Sequence, residues 1–122
     1  RRSMHVRAPG MYCFPGGGIE EGESEETAIV REMQEELAAS VQPVRRLWSY
    51  VTSWGVDLAW WLVELPEDAE LVHNPLEVEA FHWMTPAEIR ALAQLLESNG
   101  HFLDAVERGE IVVDGLVLTT KK

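Results

Sequence analysis

Residues 14 to 39 constrain this chain more than any other stretch, because a glycine turn there runs straight into an acidic helix. Phe14-Pro15-Gly16-Gly17-Gly18 opens the stretch, and Arg31-Glu32-Met33-Gln34-Glu35-Glu36-Leu37 lies near its end. Proline stops a strand, and three glycines let the backbone come close to an anion or turn its carbonyls towards a cation. Ser24 is placed to cap a helix, with Glu25 and Glu26 favourable at the positive end of its dipole. The helix is expected over residues 25–39. At about 100° per residue, Ile29, Val30, Met33 and Leu37 share the core-facing arc. Glu32, Glu35 and Glu36, spaced i, i+3, i+4, gather on another arc. Such carboxylates repel one another unless a cation joins them. Hard divalent ions take oxygen ligands and keep waters and phosphate oxygens in their shell. The stretch therefore reads as a divalent cation site beside a phosphate site.

The rest of the composition narrows the alternatives. A chain of 122 residues is expected to form one domain, 1–122. No apolar run approaches the roughly 20 residues of a membrane-spanning helix, so no membrane partner is expected. The single cysteine, Cys13, has no partner for an internal disulfide and reads as a small buried hydrophobe, which fits a reducing, cytoplasmic setting. The formal net charge is −11. Nucleic acid polymers are held by Lys and Arg, so a polymer is not expected as a partner, whereas a small phosphorylated substrate fits if cations screen the site. His5, His73, His82 and His101 lack zinc spacing.

Further elements follow from pattern. Met11 to Phe14 reads as a short strand. Val41 to Ser53 and Leu58 to Leu65 read as strands of a hairpin turning at Ser53-Trp54-Gly55-Val56-Asp57. Val78 to Met84 alternates like a strand. Thr85-Pro86-Ala87-Glu88 has a helix cap, a proline at the first helical position and a glutamate at the third, and predicts a helix to about Leu96. Ser98-Asn99-Gly100 should end it. A short helix over Phe102 to Arg108 and a hairpin around Asp114-Gly115, between Ile111 and Leu118, complete the chain. The last two elements are candidates to cover the sheet or to form a dimer contact. Trp60, Trp61 and Trp83 are expected in the core, and Trp48, Tyr50 and Trp54 are candidates for stacking on a substrate base.

The central stretch resembles the Nudix box, G-x5-E-x7-R-E-U-x-E-E-x-G-U with U a bulky aliphatic. Gly17, Glu23, Arg31, Glu32, Met33, Glu35 and Glu36 fill its places with the spacing intact. Ala38 stands where the pattern has Gly, and Ala39 where it has a bulky aliphatic; both follow the last carboxylate. Phe14-Pro15-Gly16-Gly17 looks like the family's lead-in. Glu77 to Trp83, followed by Thr85-Pro86, looks like its later strand and helix start.

The resemblance implies an α/β Nudix fold, with a mixed β-sheet sandwiched between helices and a loop–helix–loop motif. In that fold a strand reaches well upstream of the glycine turn, so an N-terminal strand is expected to be missing from this chain or supplied by a partner. It also implies hydrolysis of a pyrophosphate bond in a nucleoside diphosphate linked to another moiety, with Mg²⁺ or Mn²⁺ as cofactor. Glu32, Glu35 and Glu36 would be metal ligands, and the Gly16 carbonyl would complete the shell. Glu32, ahead of Glu35, would orient or deprotonate the water. Glu23 and Arg31 would form a structural ion pair. A further ligand is expected from Glu77 or Glu79, with Glu64 and Asp57 behind them. Two other readings stay open: a non-catalytic module that senses a nucleotide, and isomerisation of an isoprenoid diphosphate, for which Cys13 is the only thiol. No Ser-Gln-Pro-Trp run of the NADH type is present. A compact domain leans towards a nucleoside triphosphate or nucleotide sugar.

Overall fold

The computed structural model describes residues 1–53 and 55–113. Helix α1 spans Glu25–Leu37 and begins where Ser24 Oγ accepts the Thr27 N–H at 3.1 Å. It ends two residues earlier than expected. Ala38 takes the left-handed conformation (φ 53°, ψ 35°) and donates its N–H to Gln34 O at 3.0 Å. An alanine thus makes the helix exit that a glycine would make without strain, at a cost of roughly 1 kcal/mol. Ala39 behind it is buried, and its small side chain fits the floor of the core.

Strands β1 (Gln42–Val51) and β2 (Asp57–Glu64) form an antiparallel hairpin that pairs Gln42 with Glu64 and Val51 with Asp57. Gly55, at φ 83°, closes its turn. Neighbouring side chains on a strand point to opposite faces. Trp61 accordingly reaches α1, where its indole N–H donates to Glu25 Oε1 at 2.8 Å. Trp60 turns the other way and stacks on Phe102 at 5.3 Å. Glu25 also accepts from Arg46 at 3.0 Å and so ties the hairpin to the first turn of α1. Phe102 belongs to helix α3, Glu97–Glu107, so the hairpin lies between α1 and α3.

Each face has its own core. Met33, Leu37, Ala39 and Val41 pack with Ile29, Val63 and Phe81 on the α1 side. Phe102, Leu103, Ala105 and Ile111 pack with Phe14, Trp48, Trp60 and Leu95 on the α3 side. Ile111 is buried and Arg45 bonds the Val112 carbonyl, but residues 111–113 form no strand, and the expected hairpin at Asp114-Gly115 lies outside the described residues.

Four expectations are corrected. The strand over Val78 to Met84 is reduced to one antiparallel bridge, Val78 with Arg2. Its pairing runs through Ser3 N–H to Glu77 O (3.1 Å) and Glu79 N–H to Arg1 O (2.8 Å), and stops at Ala80, whose carbonyl accepts from the Arg1 α-amino group. The helix from Pro86 is short: α2 is Pro86–Arg90, with the Thr85–Glu88 capping box formed. Ser98-Asn99-Gly100 does not end a helix but lies within the first turns of α3. The reason is tertiary. Tyr12 donates to Gln94 O (2.7 Å) and accepts from Leu96 N–H (3.0 Å), which pulls residues 94–96 into an extended parallel pairing that a helix cannot make. Strand Met11 to Phe14 is likewise only this bridge, Tyr12 with Leu95. Among the described residues no helix is long and apolar enough to cross a membrane.

Candidate active site

The glycine turn lies along α1 and is fastened to it by charge. Arg31 donates Nε to Glu23 Oε2 at 2.7 Å and Nη2 to Glu23 Oε1 at 2.9 Å, the two parallel bonds of a planar guanidinium on a carboxylate. The same Nη2 reaches the Gly18 carbonyl at 2.8 Å. Nη1 takes Glu32 Oε1 at 2.7 Å and Glu35 Oε1 at 3.2 Å. Held this way, Glu23 is acidified to a pKa of about 2. Arg31 is pushed above its ordinary value by its bonds to Glu23 and Glu32.

Glu32 and Glu36 point from α1 towards the turn, each only 8% exposed. Gly16 donates its N–H to Glu36 Oε1 at 3.3 Å. Gly17 presses on the Glu32 carboxylate so closely that a Cβ there would fall 2.5 Å from its Cδ. The third member comes from far along the chain. Val72 N–H donates to Leu37 O (2.9 Å) and Asn74 N–H to Glu36 O (2.8 Å), which clasps the 71–80 segment onto the last turn of α1. Glu77 follows, and one oxygen each of Glu32, Glu36 and Glu77 lie within 4.8 Å of one another.

Burial first, then a hydrogen bond with Glu32 and the charges of Glu32 and Glu77, push the Glu36 carboxyl up to about 8. The Gly16 N–H works in the opposite sense and is outweighed. Glu36 thus holds a proton beside Glu32, whose own carboxylate is engaged by Arg31. Converging, desolvated, hard oxygen donors that must otherwise hold a proton fit a divalent cation.

This proton makes the metal-free protein sensitive to pH. Glu36 ionises near 4.5 in the unfolded chain but near 8 in the fold, so the fold holds an extra proton between those values. Its contribution is full below about pH 4.5 and is lost as pH rises towards 8, by at most about 1.4 kcal/mol per unit. Glu23 acts in the opposite sense: its stabilisation is present above about 4.5 and lost as pH falls towards 2. Urea unfolding in chelator from roughly pH 3 to 9 is expected to show both limbs. Glu36→Gln is expected to flatten the upper limb relative to wild type, and equal slopes for the two proteins would refute a proton on Glu36.

Above the cluster opens a cavity of about 600 Å³, with Gly16, Gly17, Glu32, Glu36 and Glu77 on one wall. Tyr12, Phe14, Phe81, His82 and Trp83 are among the other residues that line it. The sequence reading missed these aromatics; their only signal was adjacency to the Gly turn and to Glu77. Trp83, expected in the core, is 76% exposed.

The remaining candidates sit elsewhere. Glu35 is exposed and held by Arg31. Glu79 pairs with Arg1 at 2.7 Å on the outside. Glu64 and Asp57 are exposed at opposite ends of the hairpin ladder. Trp48 and Tyr50 stack on each other at 5.5 Å, and Trp48 packs against Trp60 and Phe102 on the α3 side, so neither lines the acidic cavity. Trp54 lies outside the described residues. Cys13 is half-buried and lines the cavity.

The chain matches the family model described as NUDIX domain over residues 1–106. It is 53% identical over 38 residues to an RNA pyrophosphohydrolase of Haemophilus ducreyi, covering 31% of this chain and 19% of that protein. The corresponding figures for an RNA pyrophosphohydrolase of Actinobacillus pleuropneumoniae serotype 5b are 50%, 31% and 18%. The chain thus aligns with less than a fifth of the length of these relatives. The crystal structure of a MutT protein from Methanosarcina mazei Go1 superposes with a TM-score of 0.70 at 18% identity, covering 89% of this chain and 80% of that one, and has the same fold.

Proposed function

This chain belongs to the Nudix family, and from that premise we propose that it is a Mg²⁺-dependent pyrophosphohydrolase acting on a small nucleotide or nucleotide-sugar substrate. The observation that carries the proposal is the meeting of Glu32, Glu36 and Glu77 under the glycine turn. These three side chains would hold the ion, with Glu35 close by on the same helix. A divalent ion bound there supplies charge to the phosphate oxygens and lowers the pKa of water.

The chain's own groups do the rest. Glu36 would give up its proton where a cation takes its place. Glu32 is the residue assigned to orient or deprotonate the attacking water, and Arg31 fixes its carboxylate through Nη1. Gly16 to Gly18 leave that wall of the cavity without side chains, so phosphate can approach the carboxylates. The aromatic side chains lining the cavity provide surface for the moiety beyond the diphosphate.

The RNA pyrophosphohydrolases share only a short stretch with this chain, so they support the chemistry rather than the substrate. The net charge of −11 favours a small substrate over a polymer. The test is a panel of nucleoside triphosphates, nucleotide sugars, dinucleotides and a 5′-triphosphate RNA oligonucleotide, each with Mg²⁺ and Mn²⁺. Metal-dependent release of pyrophosphate from a triphosphate, or of two monophosphates from a sugar nucleotide, is expected and identifies the class. Ligand binding with no release from any member would overturn the proposal and make the chain a nucleotide-sensing module.

A further inference from the structure

We infer that Asn74 is a positioning residue for the acidic site, setting the carboxylate of Glu77 through its side-chain amide. The inference rests on the metal-binding reading above. Asn74 makes five backbone and side-chain hydrogen bonds that converge on one place. Its N–H donates to Glu36 O at 2.8 Å, which fixes it to α1. Its carbonyl accepts from Glu77 N–H at 3.0 Å and Val78 N–H at 2.8 Å, which fixes the turn that carries Glu77. Its Oδ1 accepts from Leu76 N–H at 3.1 Å, and its Nδ2 donates to Glu77 Oε2 at 3.3 Å.

The amide can point only one way. Rotated by half a turn, its NH₂ would face the Leu76 N–H, donor against donor, and its oxygen would face the Glu77 carboxylate, acceptor against acceptor. Pro75 contributes no N–H, so Oδ1 is directed past it to Leu76, as asparagine does in turns of this kind. The donor on Nδ2 is what only asparagine brings to this turn. Aspartate would preserve the turn bond to Leu76 but aim a negative oxygen at Glu77. Serine would preserve a weaker turn bond and present nothing to Glu77. Partners that orient a metal ligand typically change metal affinity by 10- to 100-fold when removed.

The experiment measures Mn²⁺ binding to the full chain by calorimetry, with no substrate present. Wild type, Glu77→Gln, Asn74→Ala, Asn74→Asp and Asn74→Ser are compared, with metal-free thermal unfolding of each as the control for fold. The expected result is weakening on the order of 10- to 100-fold for all the Asn74 variants, with Asn74→Asp still unfolding cooperatively in chelator yet failing to rescue binding. Wild-type or tighter Mn²⁺ affinity in Asn74→Asp would overturn the inference and leave Asn74 a turn former. Should Asn74→Asp not fold, Asn74→Ser decides by the same criterion. Mn²⁺ binding by wild type that is unaffected in Glu77→Gln would also overturn the inference while leaving a metal site in place. No binding by wild type would overturn the metal reading itself.

Discussion

Glu36→Gln is expected to lower turnover by about a thousandfold while leaving the metal-free fold intact. The size follows from the several kcal/mol that a positioned cation supplies to phosphoryl transfer. The unharmed fold follows from the protonation state. Glu36 is buried and neutral at physiological pH without metal, and Gln matches that neutral form in shape. The variant should therefore unfold in chelator at a temperature equal to or above that of wild type, and Mg²⁺ should no longer raise it. Glu35→Gln is the informative companion. Its carboxylate is half exposed and engaged with Arg31. A loss as large as at Glu36 would mean that Glu35 leaves Arg31 for the ion; a small loss would restrict the ligand set to the buried cluster. Wild-type turnover in Glu36→Gln would remove the basis of the proposed chemistry.

Gly17→Ala is expected to cost about a hundredfold in kcat/KM, the penalty typical of misplacing a reacting group by roughly 1 Å. The added methyl cannot share space with the Glu32 carboxylate, and a long side chain tip yields more readily than backbone. Glu32 would swing aside and loosen its 2.7 Å bond to Arg31. Stability should change by no more than about 1 kcal/mol, because the site is a surface of the core and not its centre. A compensating change makes the argument sharp. Glu32→Asp withdraws the carboxylate from the methyl, so the double variant should be more active than the product of the two single losses predicts. Full activity in Gly17→Ala alone would show that the contact has no functional weight.

The parts legible in the sequence are those dictated by neighbours along the chain. The cap at Ser24, the arc of Glu32 and Glu36, and the opposite faces of Trp60 and Trp61 follow from helix and strand geometry. Long-range pairing decided the rest. Alternation placed Glu77 and Glu79 on the same side of a strand, and only the register with Arg1 to Ser3 separates them, sending Glu77 inward and Glu79 to Arg1. The break between α2 and α3 depends on Tyr12 inserting against Leu95, which no local signal at residues 91–96 encodes. Trp48 and Tyr50 looked like substrate contacts because aromatic content does not reveal which face of a hairpin meets which helix. Ala38 illustrates the reverse: its departure from the box left the left-handed exit unchanged, since the neighbouring bonds impose it.

The clasp of Val72 and Asn74 on the end of α1 also dictates an order of assembly. Two of the acidic groups sit on one helix and exist as a pair as soon as that helix forms. Glu77 joins them only after the chain has travelled out and back through the whole hairpin, and contacts so distant in sequence come late in folding. An ion that prefers three ligands to two therefore distinguishes the finished molecule from its precursors. It would hold native chains closed without hastening their formation, so its signature should be slower unfolding, not faster refolding.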